Sequence, residues 1–222
     1  MKMLDHMPKK LRLLCERWSK SMEKISGFEG RLAYVQKVLP ELLLNKSLFK
    51  EIFKNIMEGA KYPDIRKGTL FDNEIPLYTD NKRLFSIRLY LWGPGDYTPI
   101  HDHNAWGLIG SVLGEFEVIK YTRKDDGLDE GYARLVEKDK LILMPGETDV
   151  TLPLNNGIHK TGNPTEKTIA TIHLYGNPVR RKYINSFDPD TGQISRMCVP
   201  RLRKRMLASE TLRNLESQAV SG

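Results

Sequence analysis

The chain of 222 residues carries 35 Lys and Arg against 28 Asp and Glu, a net charge of +7, and 40% of its residues are hydrophobic. That length can bury one sizeable core, but no uncharged apolar run reaches the length of a membrane span, and the charge-interrupted start MKMLDHMPKKLRLLCERW does not read as a secretory signal. Cys15 and Cys198, far apart in sequence, suggest no disulfide framework, so reduced thiols in the cytoplasm are the economical assumption.

Residues 1–65 read as a helical extension. Leu11, Leu14, Cys15, Trp18 and Met22 recur at helical spacing, and a second helical stretch runs from about Arg31 to Leu44. Within it, Pro40 should begin a new turn or kink rather than sit mid-helix. A third stretch has Ser47 as its expected N-cap and runs through Phe49, Ile52, Phe53 and Ile56 to Gly59. These stripes are packing surfaces, expected to lie as a layer on the domain that follows.

Residues 66–198 read as that domain, mainly β. After loops and short strands between Lys61 and Asp80, the run from Leu84 to Leu91 reads as a strand ending at a Gly-Pro-Gly turn. EFEVIKY, an acidic loop from Lys124 to Gly131, and YARLVE, KLILMPGE, DVTLPL and TIATIHLYG follow as separate strand candidates. Many short strands joined by Gly, Pro and Asn turns indicate a sandwich or closed barrel. Residues 199–222 form a C-terminal helix and tail, in which Leu202, Met206, Leu207, Leu212 and Leu215 suit a short amphipathic helix. Its basic run, Arg201, Arg203, Lys204 and Arg205, reads as a solvated face, and no zinc-finger or helix-turn-helix signature accompanies it.

Histidine is concentrated between positions 101 and 173, where four of the five lie. On a strand His101 and His103 face one side and Asp102 the other. His159 follows the turn signal Asn155-Asn156-Gly157. Three neutral imidazoles brought together from several strands would suit iron, but also zinc, copper or nickel. Thr171, His173 and Tyr175 share another strand face, with Ile172 and Leu174 on its opposite side. Asp102 and Asn163 read as structural, Asp102 through local hydrogen bonds and Asn163 in a turn before Pro164.

Gly95, five residues, His101-x-His103, three residues, Gly107, six residues and Gly114 resemble the first cupin motif, with Gly107 where most cupins place a metal-binding Glu. His159, three residues and Asn163 resemble the end of the second. More narrowly, WGPGDYTPIHDH, GIHKTGN and TIHLYG, over roughly residues 83–195, resemble the cysteine dioxygenase family of three-histidine thiol dioxygenases. The resemblance implies a cupin double-stranded β-helix (a jelly-roll barrel) holding Fe(II) on His101, His103 and His159. It also implies a relay from Thr171 through His173 to Tyr175. Without a carboxylate ligand the cation keeps its full charge, which favours a thiolate, and Gly107 leaves room where that carboxylate would stand.

HDHNAWG resembles the bacterial branch, which includes 3-mercaptopropionate dioxygenases. Animal-type members carry a cysteine crosslinked to the active-site tyrosine; Gly107 stands at the matching place, so no thioether is expected. Their carboxylate-binding arginine has no counterpart in LYTDN (77–81). YGNPVRR instead offers Arg181 as first choice and Arg180 as second for the substrate carboxylate, with solvent exposure of both as the alternative. The expected activity is addition of both atoms of O2 to the sulfur of a small thiol carboxylate, cysteine or 3-mercaptopropionate, giving a sulfinate. The expected partners are the small thiol and O2, with no nucleic acid and no membrane, in a monomer or homodimer. A cupin enzyme acting on a non-thiol substrate and a non-catalytic cupin that binds a small molecule are the other readings.

Overall fold

The computed structural model describes residues 7–59, 69–179 and 181–220, the side chains of 210 and 213–220 excepted. Helices α1 (Lys9–Glu23), α2 (Phe28–Leu43) and α3 (Lys46–Met57) come first. Eleven strands follow: β1 (Glu74–Thr79), β2 (Ser86–Trp92), β3 (Ile100–His101), β4 (Gly107–Leu113), β5 (Phe116–Arg123), β6 (Leu135–Leu143), β7 (Thr148–Thr151), β8 (His159–Gly162), β9 (Ile169–Tyr175), β10 (Ile184–Phe187) and β11 (Ile194–Met197). Helix α4 (Pro200–Val220) closes the chain. The strands form two antiparallel sheets, ordered β1-β2-β9-β4-β7 and β11-β10-β3-β8-β5-β6. This is the expected mainly β jelly-roll architecture, with its helical layer and C-terminal helix.

The helices dictate which face of the first sheet becomes the outside. Leu11, Cys15, Trp18 and Met22 of α1, Val35, Leu39, Leu42 and Leu43 of α2, and Leu48, Phe49 and Ile52 of α3 are all buried. They share one core with Ile87 and Leu89 of β2, Leu108 of β4, and Ala170, Ile172 and Leu174 of β9. The approach is close: a Cβ on Gly110 would stand 2.5 Å from a methyl of Leu43. The alternate residues of the same strands turn into the barrel, where Tyr90, Trp92, Ile109, Phe116, Val118, Leu143 and Ile169 make a second core. Both faces of β9 are therefore covered, and Ile169 to Leu174 are all buried although Thr171, His173 and Tyr175 alternate with apolar residues.

Several local expectations are corrected. Pro40 sits inside α2, whose last turn continues through it, with the Leu44 amide donating to the Pro40 carbonyl at 3.1 Å. The bond lost to the proline ring is offset by burial of Leu42 and Leu43 just beyond it. Asn45, not Ser47, caps α3: its side chain accepts the Leu48 amide at 3.3 Å and the Ser47 hydroxyl at 3.0 Å. YARLVE and KLILMPGE supply one long strand, β6, not two. Leu207 and Leu212 on α4 are each 56% exposed, so its described side chains bury no apolar stripe. The loop expected from Lys61 lies outside the described residues as far as Gly68. Among the described residues no helix is long and apolar enough to cross a membrane.

The capping assignment is open to measurement by chemical denaturation. Asn45→Ala is expected to cost about 1 kcal/mol, and Ser47→Ala clearly less; equal losses would contradict it.

Candidate metal centre and its cavity

The two sheets supply two different walls. On the second sheet, His101 of β3 pairs directly across from His159 of β8, and the chain places His103 two residues on, just past the end of β3. The three rings are buried with centroids 4.5 to 4.8 Å apart, and their ligand atoms all lie within 4.8 Å of one another. His101 Nδ1 bonds the Pro99 carbonyl at 2.9 Å and His103 Nδ1 the Gly157 carbonyl at 3.0 Å. A carbonyl only accepts, so each Nδ1 carries the proton and each Nε2 presents a lone pair. His103 Nε2 is buried without a hydrogen-bond partner, and that orphaned lone pair beside two other imidazoles suits a cation. Burial, first, lowers the proton affinity of all three, His101 to about 4 and the other two well below their ordinary range. They are neutral, as metal ligands must be.

On the first sheet the inward face of β9 carries Thr171, His173 and Tyr175, and the structure joins them as one hydrogen-bonded chain. Its start, missed in the sequence, is Trp92 of β2, whose indole N–H donates to Thr171 Oγ1 at 2.9 Å. Thr171 Oγ1 lies 3.1 Å from His173 Nε2, and His173 Nδ1 lies 3.1 Å from Tyr175 Oη. An indole can only donate, so Thr171 accepts from Trp92. In the tautomer that uses the Thr171 hydrogen, Thr171 donates to His173 Nε2 and His173 donates from Nδ1 to Tyr175. The Tyr90 hydroxyl is also hydrogen-bonded to Tyr175, while its ring lies 4.2 Å from that of His173. Tyr175 thus accepts within the wall and keeps its own hydrogen for the cavity. Burial, above all, raises its pKa, and lowers that of His173 to about 3, so both stay uncharged.

Gly107 has a different role from the one expected. It pairs with Tyr175 across β4 and β9, and an added Cβ would stand 2.7 Å from Tyr175 Cδ1. The vacated space belongs to the tyrosine ring. No cysteine stands there to crosslink it.

The arginine assignments change as well. Arg181 does not reach the cavity. Its guanidinium clasps Asp102 at 2.8 and 2.5 Å, its Nε donates to Asn104 Oδ1 at 2.8 Å, and it reaches the His103 carbonyl at 3.3 Å. Its side chain is only 15% exposed, so the alternative of a solvated arginine fails too. Asp102, facing away from the histidines as expected, makes long-range rather than local bonds, to Arg181 and to the Asn185 amide at 2.7 Å. This clasp braces the segment that carries His103. Asn163 is structural, donating to the carbonyls of Gly93 at 2.8 Å and Lys167 at 2.7 Å. Arg180 lies outside the described residues.

A cavity of about 290 Å³ opens between the two walls, touching His101 and His103 on one side and Arg88, Tyr90 and Tyr175 on the other. Arg88 and its ion-pair partner Glu74 were not anticipated. An arginine inside an apolar strand reads as an outward-facing residue, and only the pairing of β1 with β2 shows otherwise.

No protein-family model matches the chain. Among solved structures, it is similar to the cupin domain of an XRE-family transcriptional regulator from Enterobacter cloacae, with 18% identity over 47% of this chain and 95% of that one and a TM-score of 0.33. It is also similar to a cupin conserved barrel domain protein from Salinispora arenicola (16% identity, 51% and 84% covered, TM-score 0.36). A cupin superfamily protein from Desulfitobacterium hafniense is a third (14% identity, 46% and 74% covered, TM-score 0.33). These neighbours are described as cupin proteins; the chain itself folds as a two-sheet β barrel with a three-histidine group able to hold a metal ion.

Gly107→Ala is expected to destabilise the fold by about 1–3 kcal/mol, because the new methyl overpacks against Tyr175 and the Leu174 carbonyl. An unchanged denaturation midpoint would mean that the ring moves aside freely.

Proposed function

We propose that the protein is an iron-dependent thiol dioxygenase that adds both atoms of O2 to the sulfur of a small thiol carboxylate, such as cysteine or 3-mercaptopropionate. One observation carries this reading. A neutral three-histidine cluster with no carboxylate beside it faces, across one cavity, a hydrogen-bonded chain that ends on the Tyr175 hydroxyl.

His101, His103 and His159 would hold the ion. Ferrous iron bound there would pass electrons from the thiol sulfur, the net reductant, to O2 and would supply the positive charge that stabilises the substrate as thiolate. The protein contributes position and polarity. Neutral ligands leave the whole charge of the ion to attract an anionic sulfur. Tyr175, fixed by His173 and Tyr90, donates a hydrogen bond to the oxygen-bearing side of the reacting group, and its raised pKa keeps the donor protonated. Thr171 and Trp92 do not touch the reacting atoms; they set the tautomer of His173 and so the aim of the tyrosine. The apolar body of the barrel behind the relay, Ile109, Phe116 and Val118, keeps water from competing for these bonds.

The test is oxygen uptake by the ferrous form with cysteine, cysteamine and 3-mercaptopropionate side by side, with product analysis. Thiol-dependent uptake yielding one sulfinate per O2 is expected, with Tyr175→Phe lowering kcat on the order of 100-fold. If no thiol stimulates uptake by iron-loaded protein, the reading fails in favour of a cupin acting on another substrate or only binding one.

A further inference from the structure

Resting on the thiol dioxygenase reading, we propose that Arg88 and Glu74 act as the charge selector of the cavity. Arg88 receives the acidic group of the substrate while its sulfur lies at the three histidines, and Glu74 limits how strongly that group is held. The first support is position. Arg88 lies on the inward face of β2, directly opposite His173 of β9, and its guanidinium carbon is 5.8 Å from the centre of the Tyr175 ring. Its side chain is 36% exposed although it lies inside the barrel wall, and that exposure is to the cavity it lines.

The second support is what the guanidinium lacks. Among the described residues its hydrogen-bond partner is Glu74 alone, and its buried Nε has none. A guanidinium presents five N–H groups in a planar fork suited to carboxylates, so capacity remains for a second carboxylate. The rival Arg181 has already committed its paired Nη edge to Asp102 and its Nε to Asn104, so it offers no free fork to a second carboxylate.

The third is the state of Glu74. Its side chain is wholly buried; one oxygen is held by the Leu70 amide at 3.2 Å and the other by Arg88. A buried carboxylate needs its partner, so Arg88 is held in place by Glu74 before any substrate binds. The same negative charge offsets the arginine. A substrate carboxylate therefore meets an oriented fork whose charge is already partly balanced. The cavity should bind small thiol carboxylates with moderate strength and release the more acidic sulfinate product, rather than retain any anion. Lys182 also lines the cavity, but it is exposed and makes no ion pair among the described residues, so nothing directs it at the histidines.

The test compares Michaelis constants for 3-mercaptopropionate, which bears a carboxylate, and cysteamine, which does not. Glu74→Gln keeps an acceptor for Arg88 but removes the opposing charge. It should lower KM for 3-mercaptopropionate about 3- to 10-fold and raise it for cysteamine. Arg88→Gln alone would strand Glu74, so the arginine is removed in the double variant Glu74→Gln/Arg88→Gln, which leaves no unpaired charge. That variant should raise KM for 3-mercaptopropionate about 10- to 100-fold, with cysteamine little changed. Equal changes for both thiols would reduce the pair to a structural role, and a carboxylate effect confined to Lys182→Met would move the anchor elsewhere; either overturns the proposal. The same series is run on Co(II)-substituted protein, reading 3-mercaptopropionate affinity from thiolate-to-cobalt absorption. The same ordering of affinities without oxygen uptake sinks the dioxygenase reading and keeps the selector; uniform affinities, or no thiolate absorption in the wild type, sink the selector itself.

Discussion

Three imidazoles buried against one another, with no anion among them, form the constraint on which the rest of the structure depends. None can take a second proton at neutral pH, because burial opposes the charge and, for His103 and His159, so do the neighbouring rings. Backbone carbonyls take the Nδ1 hydrogens of His101 and His103, so their Nε2 lone pairs remain, and that of His103 is buried with no donor to meet it. An orphaned buried acceptor costs about 1–3 kcal/mol. A cation answers that cost directly.

Much of the surrounding architecture serves to hold this arrangement. The pairing of β3 with β8 sets His101 against His159, and the Arg181–Asp102 clasp fixes the segment bearing His103. Across the cavity, the helical layer has a less obvious part. By taking the outward Leu and Ile side chains of β2, β4 and β9 into its own core, it lets the inward positions of those strands be polar without exposing the sheet. Thr171, His173 and Tyr175 occupy three such positions, Arg88 another. A polar row inside a barrel is stable only if its members have partners, and the chain from Trp92 to Tyr175 gives each of its four side chains at least one.

What could be read from the sequence is what depends on period two. His101 and His103 on one side, Asp102 on the other, and Thr171, His173 and Tyr175 on a shared face all follow from strand alternation. What could not be read depends on pairing between distant strands. Arg180 and Arg181 were singled out for the carboxylate because they follow the tyrosine strand closely, but nothing local reveals that Asp102 would claim Arg181 across 79 residues. Arg88 and Trp92 were passed over for the converse reason: they sit in an apolar run, and their inward direction becomes visible only once β2 is docked between β1 and β9. Gly107 shows a subtler limit. Its lack of a side chain was evident, but whose space it leaves was decided by its register opposite Tyr175. At the helix start, Asn45 and Ser47 are both good caps by type, and the two-residue difference lies within the usual uncertainty of helix ends.

The most direct measurement of the central claim is anaerobic equilibrium dialysis of the metal-free protein against Fe(II), followed by metal analysis of the wild type and of the His101→Ala, His103→Ala and His159→Ala variants. One iron per chain in the wild type, lost or strongly weakened in each variant, is the predicted result. No iron retained above background, or retention that survives all three replacements, would contradict it.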